Sequence, residues 1–222
     1  MLILALDTSG KTASCALLRD SEILALERRD AVLDHSRTLL DLCRQLLEAH
    51  GLKVSDIDAF AAVTGPGSFT GVRIGVAAVK GFGWTAGKPC AGVSSLAAQA
   101  YAETDDGVLC CRVTARIDEY YYAFFQRRHG AVTRLTADAV GAEAAIEAEM
   151  ARHPGCRTLT DAHNAAGAAL AALDMAERGT LEDCHSLAPV YLKRPQAERE
   201  REARLAAQAE DLGALPQAPQ TF

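Results

Sequence analysis

The residues best suited to chemistry gather first at Asp7-Thr8-Ser9-Gly10, where a carboxylate, two hydroxyls and a late glycine follow the apolar run of residues 2–6. A carboxylate in such a turn can hold a metal ion or touch a phosphate, and the same residue types also close a turn on their own backbone. A second constellation is Thr64-Gly65-Pro66-Gly67-Ser68-Phe69-Thr70-Gly71-Val72-Arg73-Ile74-Gly75, a glycine-rich turn that leads straight into a helix. Backbone N–H groups at a helix start attract anions, and Ser68 or Thr70 can cap it. No Lys-Ser or Lys-Thr follows the glycines, which excludes a Walker A loop. Without a ligand the same turn is a strand-to-helix connector.

Other catalytic patterns are missing from the sequence. The histidines are His35, His50, His129, His153, His163 and His185, and no two stand four apart, the spacing that puts imidazoles on one helix face. A metalloprotease is disfavoured on that ground, and no G-x-S-x-G elbow marks a serine hydrolase. Seven cysteines are scattered without a C-x-x-C pair, so reduced, buried thiols are expected in place of a disulfide framework or zinc ribbon. No metal and no cofactor is expected. His50, beside Gly51, suits the negative end of a helix.

The elements that must position these residues follow from periodicity. Residues 2–6, 12–19 and 22–27 read as strands, 36–50 as a helix with Leu39, Cys43 and Leu46 on one stripe, 57–63 as a strand and 68–86 as a second helix. Residues 91–101 form a strand end and helix. The order then repeats: strands at 107–113, 119–126 and 131–135, a helix at 138–151, a strand at 157–160 and an Ala-rich helix at 164–177. Two related α/β lobes are expected, residues 1–104 and 105–193, followed by a charged and then Pro- and Gln-rich tail, 194–222, expected to be loosely ordered.

The chain of 222 residues is 49% apolar and carries a net charge of −6. That length buries one large core or two small ones. The acidic balance argues against a surface that binds nucleic acid non-specifically, so any such contact would be shared with a partner. No apolar run approaches the roughly 20 residues of a membrane span, and no basic leader is visible, so a cytoplasmic protein is expected.

The duplicated βββαβα order resembles the actin-like ATPase superfamily, in which each lobe is an RNase H-like unit. In that group a carboxylate and a small turn follow the first strand of each lobe. Here the second-lobe turn reads Thr114-Ala115-Arg116, with neither carboxylate nor glycine. The helix of 68–86 is apolar on more than one face, and Gly71 and Gly75, one turn apart, admit close approach of another helix, either within the lobe or in a partner. An intermolecular contact is expected, with the helix of 36–50 beside it, as in a four-helix bundle.

The opening LILALDTSGKTASCALL, His35-Ser36, the run GPGSFTGVRIG, residues 92–98 (GVSSLAA) and Pro189-Val190-Tyr191-Leu192-Lys193 together resemble the TsaB (YeaZ) family over about residues 1–193. The resemblance implies an actin-like, non-catalytic subunit that pairs with the catalytic TsaD and works with the ATPase TsaE. That complex transfers threonylcarbamoyl to the adenosine next to the anticodon in tRNAs reading codons that begin with A. Contact with tRNA would be indirect, through the complex, and a homodimer is possible when the chain is alone. The family's pairing surface falls on His35, Leu39, Leu42, Leu46, Thr70, Gly71, Arg73, Ile74, Gly75 and Ala78. Asp7, Thr8 and Ser9 would be the remnant of a nucleotide loop. Arg116 and Glu119 would touch a partner across the cleft between the lobes or pair with each other as an exposed strand-end ion pair, and Thr114 stands where the family carries Asp. A stand-alone actin-like small-molecule kinase or ATPase is the alternative.

Overall fold

The structure is a computed structural model that describes residues 1–30, 35–193 and 204, without the side chains of His35 and Ser36. The expectation of a loosely ordered tail therefore lies outside the described residues. Every strand and helix named here belongs to the unit Met1–Leu192.

Two five-stranded sheets organise this unit. The first is built from β1 (Leu2–Asp7), β2 (Thr12–Arg19), β3 (Glu22–Asp30), β4 (Ala59–Gly65) and β5 (Cys90–Ser94) in the order β3-β2-β1-β4-β5. β1, β2 and β3 form an antiparallel meander, while β4 and β5 run parallel to β1. The central β1 is buried at every residue, as expected for a strand covered on both faces. α1 (His35–Ala49) and α2 (Phe69–Ala86) cover one face, and α5 (Ala165–Glu177) with α3 (Ser95–Ala102) covers the other.

The second sheet contains β6 (Gly107–Arg116), β7 (Glu119–Arg128), β8 (Ala131–Arg134), β9 (Ala139–Ala142) and β10 (Arg157–Thr160), in the order β10-β6-β7-β8 with β9 also on β7. α3 packs on one face, and α4 (Glu143–Met150) brings Ile146 against Cys110 and Phe124 on the other. The helix expected over 138–151 is corrected here. Residues 139–142 pair with Glu119–Tyr122 as an antiparallel strand, and the helix begins only at Glu143. Alanine-rich composition favours helix locally, but the open edge of β7 supplies a ladder that outweighs so weak a preference.

Ser68 and His50 act at the helix ends as expected, and Gly87, not singled out in the sequence, closes α2. The Ser68 hydroxyl accepts from the Gly71 N–H at 3.2 Å, and Gly87 ends α2 in the left-handed conformation (φ 63°). His50 Nδ1 lies 2.9 Å from the Leu46 carbonyl, so the imidazole donates to the last turn of α1.

Candidate functional site

The turn after β1 is a closed structure. Asp7 is 1% exposed, and its Oδ1 accepts from the Ser9 N–H (2.8 Å) and the Ser9 hydroxyl (2.6 Å). Oδ2 is buried with no hydrogen-bond partner among the described residues. Thr8 Oγ1 donates to the Gly71 carbonyl at 2.6 Å, and the Ser68 N–H donates to the Ser9 carbonyl at 2.7 Å, so the turn is stitched to the start of α2.

Beside it lies a cavity of about 710 Å³, lined from the first half by Ser9, Gly10 and Ser68 and from the second by Thr114, Asp161 and His163. In the sequence Thr114 stands out for the missing carboxylate. Asp161 supplies one from another strand end: its Oδ1 accepts from the Thr114 N–H (2.9 Å) and its Oδ2 from the Thr114 hydroxyl (2.7 Å). Asp161 and His163 escape a reading of the sequence because they lie 47 and 49 residues beyond Thr114 and only the pairing of β10 with β6 brings them together. The positive φ of Asp161 (50°) is the one local trait that marks the turn. Arg116 and Glu119 form the ion pair named for them, 2.5 Å long, at the tip of the β6–β7 hairpin, and neither lines this cavity.

Ser9 Oγ lies 2.9 Å from His163 Nδ1, and His163 Nε2 lies 3.8 Å from Asp161 Oδ1. The set looks like a Ser-His-Asp triad, but the proton order is reversed. Ser9 gives its only proton to Asp7, so the contact with His163 is made when Nδ1–H donates to the Ser9 oxygen, a tautomer that follows from counting donors. A triad serine needs the imidazole as acceptor, and it needs to be reachable. Ser9 is buried. The arrangement fastens the β10–α5 turn to the β1 turn and does not prepare a nucleophile.

The expected pairing surface divides in two. Leu39, Leu42 and Leu46 are buried in the core under α1, against β1 and β2, where each contributes about 1.5–3 kcal/mol. Gly71 and Gly75 are buried against Thr8: a Cβ on Gly71 would stand 1.9 Å from the Thr8 carbonyl oxygen, and one on Gly75 would stand 2.6 Å from Thr8 Oγ1. These five residues are corrected from surface to core. The His35 side chain lies outside the described residues.

Thr70 and Arg73 are exposed, and Ile74 and Ala78 are half-buried. With them Ala77, Gly81 and Trp84, which is 72% exposed, give α2 an outer stripe of small and apolar residues. On α1 Leu40 is 51% exposed between Arg37 and Arg44. Arg73 stacks on Phe69 (3.8 Å to the ring centroid) and donates from Nε to the Tyr191 hydroxyl at 2.7 Å, joining GPGSFTGVR to PVYLK. Among the described residues no helix is long and apolar enough to cross a membrane.

Comparison with known proteins agrees with this layout. The family model for "TsaD: tRNA N6-adenosine threonylcarbamoyltransferase" matches residues 29–156, more than half of the chain. The tRNA threonylcarbamoyladenosine biosynthesis protein TsaB of Escherichia coli is 35% identical over 130 residues, which cover 57% of this chain and 56% of that protein. TsaB of Bacillus subtilis is 32% identical over 139 residues, covering 62% and 61%. The chain thus spans little more than half the length of the curated relatives it matches. The solved structure of YeaZ from Pseudomonas aeruginosa superposes with a TM-score of 0.74 at 29% identity, over 86% of this chain and 99% of that one. Sequence, sheet order and superposition agree on a duplicated RNase H-like, actin-like fold, and the chain belongs to the TsaB (YeaZ) family.

Proposed function

We propose that the chain is a non-catalytic subunit in tRNA threonylcarbamoyladenosine biosynthesis, docking onto a TsaD-type catalytic subunit through the outer faces of α1 and α2. The observation that carries this reading is the apolar outer stripe of α2, Ile74, Ala77, Ala78, Gly81 and Trp84, beside the exposed Leu40 of α1. A helix pair on a solvent face is ordinarily polar, and an exposed apolar strip of this kind marks a contact surface. Small residues at its centre let a partner helix approach closely.

The cleft supports the same reading. Most of its polar groups are engaged with one another: Asp7 Oδ1 holds Ser9, Asp161 holds Thr114, and His163 joins the two turns, while Asp7 Oδ2 has no partner among the described residues. With Ser9 protonated toward Asp7 and buried, the cleft presents no activated nucleophile. The net charge of −6 leaves tRNA to be held mainly by other subunits. The ATPase TsaE and the cytoplasm complete the setting.

The test is co-purification with the TsaD of the same organism, using substitutions at exposed positions. Ala77→Glu and Leu40→Asp should abolish the heterodimer and lower threonylcarbamoyladenosine in tRNA while leaving the melting temperature unchanged. An intact complex with both variants would remove the face from consideration. Tight magnesium-dependent ATP binding by the isolated chain, lost with Asp7→Asn, would favour a stand-alone actin-like kinase instead.

A further inference from the structure

Between the end of α5 and the segment leading to Tyr191, the chain carries Asp183, Cys184 and His185 in one turn. One ligand atom from each, a carboxylate oxygen, the thiol sulfur and an imidazole nitrogen, lies within 4.8 Å of the others. Asp183 and His185 are exposed and Cys184 is buried, so the sulfur forms the floor of the group and the other two donors its rim. All three line a cavity of about 410 Å³ at the C-terminal end of α2.

These donors are largely uncommitted. Asp183 Oδ1 accepts from the His185 N–H at 2.8 Å, which occupies one carboxylate oxygen and fixes the turn. Neither the Cys184 thiol nor the ring nitrogens of His185 have a hydrogen-bond partner among the described residues, and the imidazole's neighbour is the Trp84 ring, at 6.1 Å between centroids. Lys80 donates to the carbonyls of His185 and Leu187, both at 3.0 Å, holding the turn from behind. Against that one ammonium the turn carries two carboxylates, Glu182 and Asp183.

We propose that Asp183, Cys184 and His185 form a binding site for a borderline divalent transition-metal ion, of the zinc, cobalt or nickel type, with one coordination position left to solvent or another ligand. The donor set selects the ion: sulfur and imidazole together exclude magnesium and calcium, which take oxygen. Tetrahedral bonds of about 2.3 Å to sulfur and about 2.0 Å to nitrogen place those ligand atoms about 3.5 Å apart. The closure needed from the present spacing falls on the two exposed side chains, which are free to move. Binding requires the thiolate, so a proton leaves Cys184 as the metal–sulfur bond forms.

The test uses the full chain, stripped with a chelator, reduced with a phosphine and titrated with cobalt(II). Expected is one equivalent bound with thiolate-to-cobalt charge-transfer absorption and the visible bands of a four-coordinate ion. Trp84, the chain's only tryptophan, should be quenched in parallel. Cys184→Ser should abolish the charge-transfer band, and His185→Ala, an exposed change that spares the core, should weaken binding at least about tenfold, the loss that even an outer-shell partner causes. Absence of the band in the parent chain would overturn the site, as would titrations left unchanged by Cys184→Ser and His185→Ala in variants with a native circular dichroism spectrum.

Discussion

Gly75 lies directly over Thr8: a methyl group at Gly75 would stand 2.6 Å from Thr8 Oγ1, and the neighbouring Gly71 is closer still to the Thr8 carbonyl. α2 is therefore seated on the turn after β1, and the two glycines serve the inside of the molecule. Gly75→Ala should cost about 1–3 kcal/mol by overpacking. Gly71→Ala should cost more, because the obstructing atom at 1.9 Å is backbone and cannot rotate away. Urea unfolding measures both, and an unchanged midpoint for Gly71→Ala would show that the junction is looser than described. A charged residue at Gly75 would disturb this seat, so loss of a partner in such a variant reports on folding and not on docking.

That seat also shows how far the sequence could be followed. The spacing of Leu39, Cys43 and Leu46, like that of Gly71 and Gly75, correctly places each set on one helix stripe, since periodicity decides which residues share a face. It does not say what the face meets. Both stripes turn inward, toward β1 and its turn, and the outward stripe of α2 is left to Ala77, Gly81 and Trp84. Asp161 escapes notice for a related reason, because its role depends on a strand pairing between residues distant in the chain. The strand of residues 139–142 is hidden by its helix-favouring alanines.

Arg73 ties the start of α2 to the segment before residue 193 through a hydrogen bond to the Tyr191 hydroxyl and stacking on Phe69. Arg73→Ala should lower stability by about 1–2 kcal/mol, combining one side-chain hydrogen bond with one cation–π contact. Arg73→Lys should recover little of this, because the planar guanidinium both stacks and donates along its edge. Thermal unfolding of the two variants distinguishes the roles; full recovery with lysine would mean that charge alone matters.

The buried thiols predict an alkaline limit. Burial pushes Cys90 and Cys110 up to about 12 from the ordinary 9.0. In the unfolded chain both ionise near the ordinary value, so the folded state binds more protons between about pH 9 and pH 12. Stability is unaffected below that window and falls as pH rises through it, by at most about 1.4 kcal/mol per pH unit for each thiol. Cys110→Ala should flatten the decline in denaturant midpoint above pH 9, and an identical slope in the variant would remove the thiol as its cause.

The Thr114–Asp161 contact makes the most specific prediction for the cleft. Thr114 gives Asp161 two hydrogen bonds, from its N–H and from its hydroxyl. Introducing at this position the acidic residue that the family resemblance implies, Thr114→Asp, removes the hydroxyl donor and sets a second carboxylate against the first. Like charges this close destabilise each other, and because the pair is exposed the expected cost is about 1 kcal/mol, shrinking as salt is raised. Asp161→Asn in the same chain should recover most of that loss, since the amide can donate to the introduced carboxylate, whereas Asp161→Asn alone should destabilise by leaving the Thr114 donors a weaker acceptor. Urea unfolding of the three variants at low and high salt closes the cycle, and additive effects would mean that the two turns act independently. A strong negative coupling would instead show that the ends of β6 and β10 share one site with room for a single carboxylate, the place Asp161 now fills.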